Sequence, residues 1–108
     1  MEGTSVMVND IIKVKDGVSL DGINTHITRI LHIIEPILRK YGQEMVITSG
    51  LDGVHKENSK HYSGCAIDLR IWDLKHKSSC VHAMQVALGE DYDVVLERTH
   101  IHLEYDPK

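Results

Sequence analysis

Hydrophobic residues recur at intervals of three and four in the first half of the chain, which is the spacing of one face of an α-helix. The positions with this spacing are Ile27, Ile30, Leu31, Ile34, Ile37 and Leu38. Asn24 or Thr25 can cap the first turn of the predicted helix, and Gly42 ends it. Because Pro36 lacks a backbone donor, we expect this helix to bend or restart near residues 32–35.

Shorter runs of β-branched and other apolar residues predict strands. These runs lie at residues 11–14, 45–48, 65–72, 92–96 and 100–105, of which the first could also be an extended arm. The last two are close enough to pair across a bend at Arg98 and Thr99. A second helix, with Ser78 or Ser79 as its cap and Gly89 as its end, precedes them. This order of elements predicts an α+β fold in which helices pack on one face of a small antiparallel sheet.

Composition limits the classes of structure and function. The chain has 108 residues, of which 42% are hydrophobic and none is phenylalanine, so we expect a single domain over residues 1–108 with an aliphatic core. A net charge of −4 without a basic run does not favour binding to nucleic acid. The N-terminal residues have neither a basic start nor a continuous apolar stretch, so we expect no signal peptide and no membrane anchor.

Cys65 and Cys80 are the only cysteines, and they lack the C-x-x-C spacing of a zinc knuckle. We expect two buried thiols that pack as small hydrophobic side chains. The sequence does not decide whether they form a disulfide, because that depends on the separation and orientation of the two Cβ atoms.

The first cluster of polar residues contains His61 and Asp68, whose imidazole and carboxylate both bind zinc at about 2.0–2.2 Å. Ala66 shares a strand face with Asp68, and such a small side chain keeps a metal pocket open. Ser59 could support the loop that presents His61 by a hydrogen bond. Taken singly, His61 is also typical of a surface loop, and Asp68 could simply pair with Arg70.

The second cluster contains His100 and His102, whose imidazoles must lie on one face of a strand. Their spacing allows either of them, or both, to bind a metal. Glu97 precedes His102 by an odd number of residues, so it can serve the same site only if the chain bends at Arg98 and Thr99. Alone, this stretch is equally typical of an edge strand with solvated histidines. Together the two clusters supply three ligands and a spare carboxylate, which a catalytic zinc site requires.

The two clusters resemble the motifs S-x-H-x-x-G-x-A-x-D and E-x-x-H-x-H of the zinc D-Ala-D-Ala carboxypeptidases and phage L-alanyl-D-glutamate endopeptidases, whose fold group includes the hedgehog signalling domain. The fixed positions, all filled and all within residues 45–105, are Ser59, His61, Gly64, Ala66, Asp68, Glu97, His100 and His102. The resemblance implies that His61, Asp68 and His102 bind one zinc ion. Glu97 would then be the catalytic base, while His100 would support a ligand or face the substrate.

One departure from the family pattern concerns positive charge near the site. Many relatives carry an arginine shortly before the first histidine, in a loop that helps to hold the negatively charged intermediate. Residues 49–56 of this chain contain no arginine. Lys56, His55 or Arg70 could supply the charge instead, and for His55 a solvated position is the better expectation.

The resemblance implies a zinc peptidase that hydrolyses an amide bond in peptidoglycan stem peptides, either D-Ala-D-Ala or L-Ala-D-Glu. Such an enzyme could be encoded by a phage or by a bacterium. A phage enzyme without an export signal would act on the cell wall from the host cytoplasm or the virion, and we expect a monomer. The alternative is a non-hydrolytic zinc-containing binding module, or a virion structural domain, with the same fold. Glu97 distinguishes these functions, since a structural zinc site needs no base beside an open coordination position.

Overall fold

The computed structural model describes residues 4–6, 12–20, 22–50 and 64–107. The elements in chain order are β1 (Thr4–Val6), β2 (Ile12–Lys15), α1 (Thr25–Thr28), α2 (Leu31–Lys40), β3 (Met45–Ser49), β4 (Ala66–Arg70), α3 (Lys77–Leu88), β5 (Tyr92–Leu96) and β6 (His100–Tyr105). These elements confirm the prediction of an α+β fold. In the four described ranges, no helix has the length and apolar character needed to cross a membrane.

The strands form one mixed sheet in the order β1-β2-β3-β4-β6-β5. Four neighbouring pairs are antiparallel, but β2 and β3 run parallel, so the prediction of an antiparallel sheet is wrong for that pair. The reason is the connection between them. The chain leaves β2, passes through α1 and α2 and returns to start β3 at the same end of the sheet, as a crossover between parallel strands requires.

The helices pack on one face of the sheet, as predicted, and the core between them is mainly aliphatic. Alternate residues of each strand enter this core because side chains point to opposite faces in turn. Ile67 and Leu69 do so from β4, and Ile101 and Leu103 from β6. The residues between them lie on the other face, which we call the polar face. The polar face carries Asp68, Arg70, His100, His102 and Glu104.

The predicted first helix is divided into α1 and α2, although at a different place from the one expected. Asn24 caps α1 by accepting a backbone hydrogen bond of 2.8 Å, as predicted. The division is upstream of residues 32–35, where the N–H of Ile30 donates to the carbonyl of Ile27 at 3.2 Å in a tightened turn. Pro36 lies inside α2, where its missing donor removes one helical hydrogen bond without ending the helix.

The second predicted helix, α3, starts earlier than its predicted serine caps. His76 precedes its first residue in the left-handed conformation (φ 50°), and no side chain caps this end. The N–H of Cys80 donates to the carbonyl of His76 at 3.0 Å, so the first turn already contains Ser78 and Ser79. The cap prediction is therefore wrong, whereas Gly89 ends the helix as expected.

Both cysteines are free thiols, so no disulfide joins them. Cys80 is fully buried, as expected, and its Sγ lies 3.9 Å from the Sδ of Met84 one helical turn away. Cys65, just before β4, is half-buried. The two thiols therefore differ in their access to solvent.

Candidate metal centre

Asp68 and His102 lie directly opposite each other on the neighbouring strands β4 and β6. Directly paired residues of antiparallel strands point to the same face, here the polar face. Oδ1 of Asp68 is 3.1 Å from Nδ1 of His102, and the two side chains are only 14% and 19% exposed. The fold thus brings together two of the three expected ligands across a long separation in sequence.

The separation of these two atoms fits a shared zinc ion. Zinc binds imidazole nitrogen and carboxylate oxygen at about 2.0–2.2 Å with tetrahedral geometry, so two of its ligand atoms lie about 3.3 Å apart. The observed 3.1 Å between Asp68 and His102 is close to that value. Without the ion, the same distance is a charge-assisted hydrogen bond.

His100 and Arg70 form the next opposed pair along the same two strands. Nε2 of His100 is 3.7 Å from Oδ1 of Asp68, further away than Nδ1 of His102, and its Nδ1 lies 3.0 Å from the hydroxyl of Thr99. The guanidinium of Arg70 stacks over the ring of Trp72 at 3.7 Å, and its Nε has no hydrogen-bond partner among the described residues. His100 therefore borders the contact between Asp68 and His102, and Arg70 lies opposite His100 on the same face.

Glu97 reaches the polar face because the chain turns tightly after β5. Leu96 of β5 pairs with Ile101 of β6, and the backbone N–H of Glu97 donates to the carbonyl of His100 at 2.8 Å. A turn of only Arg98 and Thr99 therefore places Glu97 opposite His100, on the same face of the hairpin. The chain thus bends at Arg98 and Thr99, as it must if Glu97 is to lie on the same face as His102.

Three of the predicted site residues, His61, Ser59 and Lys56, lie outside the described residues, and so does His55. The expected third ligand, His61, therefore stays a prediction from the sequence. The described chain resumes at Gly64, a short distance before β4.

Gly64 has a specific reason to be glycine. Its φ is +78°, and a Cβ at this position would overlap the backbone oxygen of Gly22. Its carbonyl accepts a 2.8 Å hydrogen bond from the N–H of Asn24, the cap of α1. Gly64 thus fixes the chain against the helix layer just before β4 begins. Ala66 follows on the polar face, fully buried.

The charges around His102 favour its protonated form when no metal is bound. The hydrogen bond to Asp68, followed by the hydrogen bond to Glu104, raises the pKa of His102 to about 9, although burial opposes the change. The ring then donates one N–H to each carboxylate. A metal ligand must instead offer a nitrogen lone pair, so an ion at this site would replace one of the two protons.

The sequence interpretation missed Glu104. Its side chain is only 21% exposed, and its Oε1 lies 2.8 Å from Nε2 of His102. A signal was present, because Glu104 follows His102 by two residues and therefore shares its strand face. Because His100, His102 and Glu104 are each two residues apart, the sequence could have predicted that all three side chains lie on one face of the strand.

Glu104 also belongs to a group of carboxylates with Asp93 and Asp106, in which one oxygen from each lies within 4.8 Å of the others. Asp93 is opposite Glu104 in β5, and Asp106 follows the end of β6. Acidic groups at a surface are common without a bound ion. This group contains none of the predicted ligands, although Glu104 contacts one of them, His102.

Comparison of the chain with protein-family models, with curated proteins and with solved structures found no match.

Proposed function

We propose that this protein is a zinc peptidase that hydrolyses an amide bond in the stem peptides of bacterial peptidoglycan, as the resemblance of its motifs implies. The observation that carries the proposal is the 3.1 Å contact between Asp68 and His102 on neighbouring strands. Glu97 supports it, because the turn after β5 puts this carboxylate on the same face. A purely structural zinc site needs no such base, so Glu97 favours hydrolysis over a binding module.

The metal would be held by His61, Asp68 and His102. When bound, zinc polarises a carbonyl group and lowers the pKa of water to about 7. Three protein ligands are the number that catalytic zinc sites use, since they leave one position for water or substrate. The absence of cysteine from this set also favours a catalytic site over a structural one.

Glu97 takes a proton from the attacking water and delivers it to the leaving nitrogen, for which it must come within about 2.6–3.2 Å. The water oxygen forms a bond to the carbonyl carbon, the carbon–nitrogen bond breaks, and the amine leaves with the transferred proton. His100 borders the same place through its Nε2, and it can donate a hydrogen bond to the oxygen that becomes negatively charged.

Arg70 is the described cation best placed to bind an anionic group of the substrate. Peptidoglycan stem peptides carry carboxylates, and a guanidinium binds a carboxylate through two parallel hydrogen bonds. Arg70 lies opposite His100, and its stacking on the exposed ring of Trp72 holds the guanidinium in one orientation. It would thereby replace the loop arginine of the resembling enzymes, with Lys56 as the alternative.

We also propose that the fold belongs to the group formed by the D-Ala-D-Ala peptidases and the hedgehog domain, and that the protein is a phage enzyme. The fold proposal is supported by the strands β4, β6 and β5, which pair antiparallel and bring together Asp68 of the first motif and His102 of the second. The proposed phage origin rests on the resemblance alone. The resemblance also limits the substrate bond to D-Ala-D-Ala or L-Ala-D-Glu.

The test is to incubate the zinc-loaded protein with purified muropeptides and to identify products by mass spectrometry. We expect cleavage of one stem-peptide bond. Glu97→Gln should retain zinc and lose about 10²–10⁴-fold in rate, because it removes the proton acceptor while keeping the shape of the side chain. Glu90→Gln, which changes another exposed glutamate after α3, is the matched control and should cleave normally.

Two results would contradict the proposal. Zinc binding without any muropeptide cleavage would favour the non-hydrolytic module. Equal rates for the wild type and Glu97→Gln would remove the assigned base and, with it, the mechanism.

A further inference from the structure

Glu104 touches the proposed metal ligand His102 but takes no part in the proposed proton transfer. Its Oε1 lies 2.8 Å from Nε2 of His102, and the two residues are one strand repeat apart on β6. Ala66 is opposite Glu104 in β4 and is fully buried. A small residue there leaves the longer Glu104 side chain room to turn back along the strand towards the imidazole.

This hydrogen bond decides which nitrogen of His102 is free to bind an ion. An ionised carboxylate only accepts hydrogen bonds, so each ring nitrogen carries a proton when no ion is bound. If Asp68 is a metal ligand, as proposed, an ion would replace the proton on the nitrogen beside Asp68, and the Nε2 atom beside Glu104 would keep its own. The other nitrogen, Nδ1, faces Oδ1 of Asp68 at 3.1 Å. An imidazole binds metal through a nitrogen without a proton, so Nδ1 would be the atom of His102 that binds an ion shared with Asp68.

We propose that Glu104 is a positioning residue, which holds the His102 ring with Nε2 protonated so that Nδ1 points to the metal. The inference rests on the proposed function, since it requires an ion between Asp68 and His102. Metal-binding histidines typically donate their second N–H to a carboxylate or carbonyl, which fixes the ring and makes the ligand nitrogen more basic.

The same contacts distinguish His102 from His100 as candidate metal ligands, which the spacing of the sequence left as alternatives. His102 has a carboxylate at each ring nitrogen, Asp68 at one and Glu104 at the other. His100 has a hydroxyl, that of Thr99, at its Nδ1, and its Nε2 is 3.7 Å from Asp68. Among these described contacts, only the ring of His102 lies between the proposed ligand Asp68 and a second carboxylate, that of Glu104.

The direct test uses protein with ¹⁵N-labelled histidine and ¹¹³Cd²⁺ in place of zinc. We expect scalar coupling from cadmium to Nδ1 of His102, together with a proton on its Nε2. Coupling to Nε2 of His102, or to His100 in its place, would overturn the inference. This measurement needs no variant and does not depend on peptidase activity.

Variants test the contribution of the carboxylate to metal affinity. Zinc titration should give about 10–100-fold weaker binding for Glu104→Ala. Glu104→Gln should recover most of the affinity, because its amide oxygen can accept the same hydrogen bond. Asp106→Asn removes a charge from the same group of carboxylates and is the matched control, expected to stay within about twofold of the wild type. Circular dichroism checks that each variant is folded.

The outcomes distinguish this inference from the proposed function. Unchanged affinity in Glu104→Ala overturns the inference alone. If Asp106→Asn weakens binding as much as Glu104→Ala, the ion is held by the acidic group and the inference is wrong. Metal binding with the expected coupling but without muropeptide cleavage refutes only the peptidase function. If the wild type binds neither zinc nor cadmium, both proposals fail.

Discussion

At the scale of single residues, burial controls the chemistry of Cys80. Removal from solvent raises the pKa of its thiol from 9.0 to about 11, because the buried thiolate would lose its hydration. In the unfolded chain the thiol ionises near 9, whereas in the folded protein it stays neutral until a higher pH. The stabilising contribution of the neutral thiol is therefore complete below pH 9 and is lost as the pH rises towards 11.

We predict that part of the fall in the free energy of unfolding between pH 9 and 11 disappears in Cys80→Ala. Urea unfolding at a series of pH values measures this difference. Cys65→Ala, which changes the half-buried thiol, is the control and should keep the full fall. Identical pH dependence in Cys80→Ala and the wild type would contradict the assignment. Ellman's reagent at pH 8 should also modify Cys65 before Cys80 in the folded protein.

Motif spacing indicated which side chains come together on the polar face but not their detailed contacts. Asp68, His102 and Glu97 could be selected from motif spacing, and the required bend was placed correctly at Arg98 and Thr99. Spacing could not rank the two histidines, because their distances to Oδ1 of Asp68, 3.1 Å for His102 and 3.7 Å for His100, depend on side-chain conformation. Glu104 was missed because a single carboxylate near the C-terminus is ordinarily solvated.

At the scale of elements, Gly64 links β4 to the start of α1. The positive φ alone would cost a residue with a Cβ about 1–2 kcal/mol. Gly64 carries a second constraint, because the added Cβ would also overlap the oxygen of Gly22. Gly17 has a similar φ of +86°, but a Cβ added there would meet nothing within 4 Å, so this position separates backbone strain from steric overlap.

We predict that Gly64→Ala destabilises the protein by more than Gly17→Ala, which should cost about 1–2 kcal/mol. The additional loss reflects displacement of Gly22 and of the hydrogen bond from Asn24. Urea denaturation of both variants gives the comparison. Equal losses would mean that the chain around Gly64 moves aside freely and that this glycine is not needed for close backbone approach.

The elements themselves were predictable where the pattern is local. Strands β5 and β6 have the predicted bounds, and Asn24 caps the first helix, because alternation and capping depend on neighbouring residues. The parallel pairing of β2 with β3 depends on where the chain goes after α2, which no local pattern states. The position of the helix division was also wrong, since Pro36 is tolerated inside α2.

At the scale of the whole molecule, the core and the proposed metal site lie on opposite faces of one sheet. The helices and the inward residues of the strands form a continuous apolar cluster that contains neither Asp68 nor His102. The two ligand strands are joined by a ladder of five opposed residue pairs, independent of any ion. The fold should therefore not require metal, in contrast to small zinc domains whose folding energy comes from the ion.

We predict that removal of zinc with a chelator leaves the far-ultraviolet circular dichroism spectrum at 25 °C essentially unchanged but lowers the thermal midpoint. An ion present at about 1,000 times its dissociation constant stabilises the folded state by about 4 kcal/mol, which corresponds to a shift of more than about 10 °C for a domain of this size. Asp68→Asn should show little response to added zinc, because it weakens the ligand set while leaving the apolar face intact. Loss of secondary structure on chelation at 25 °C would instead show that the fold requires the ion. The apolar core alone would then not be enough to keep the sheet folded.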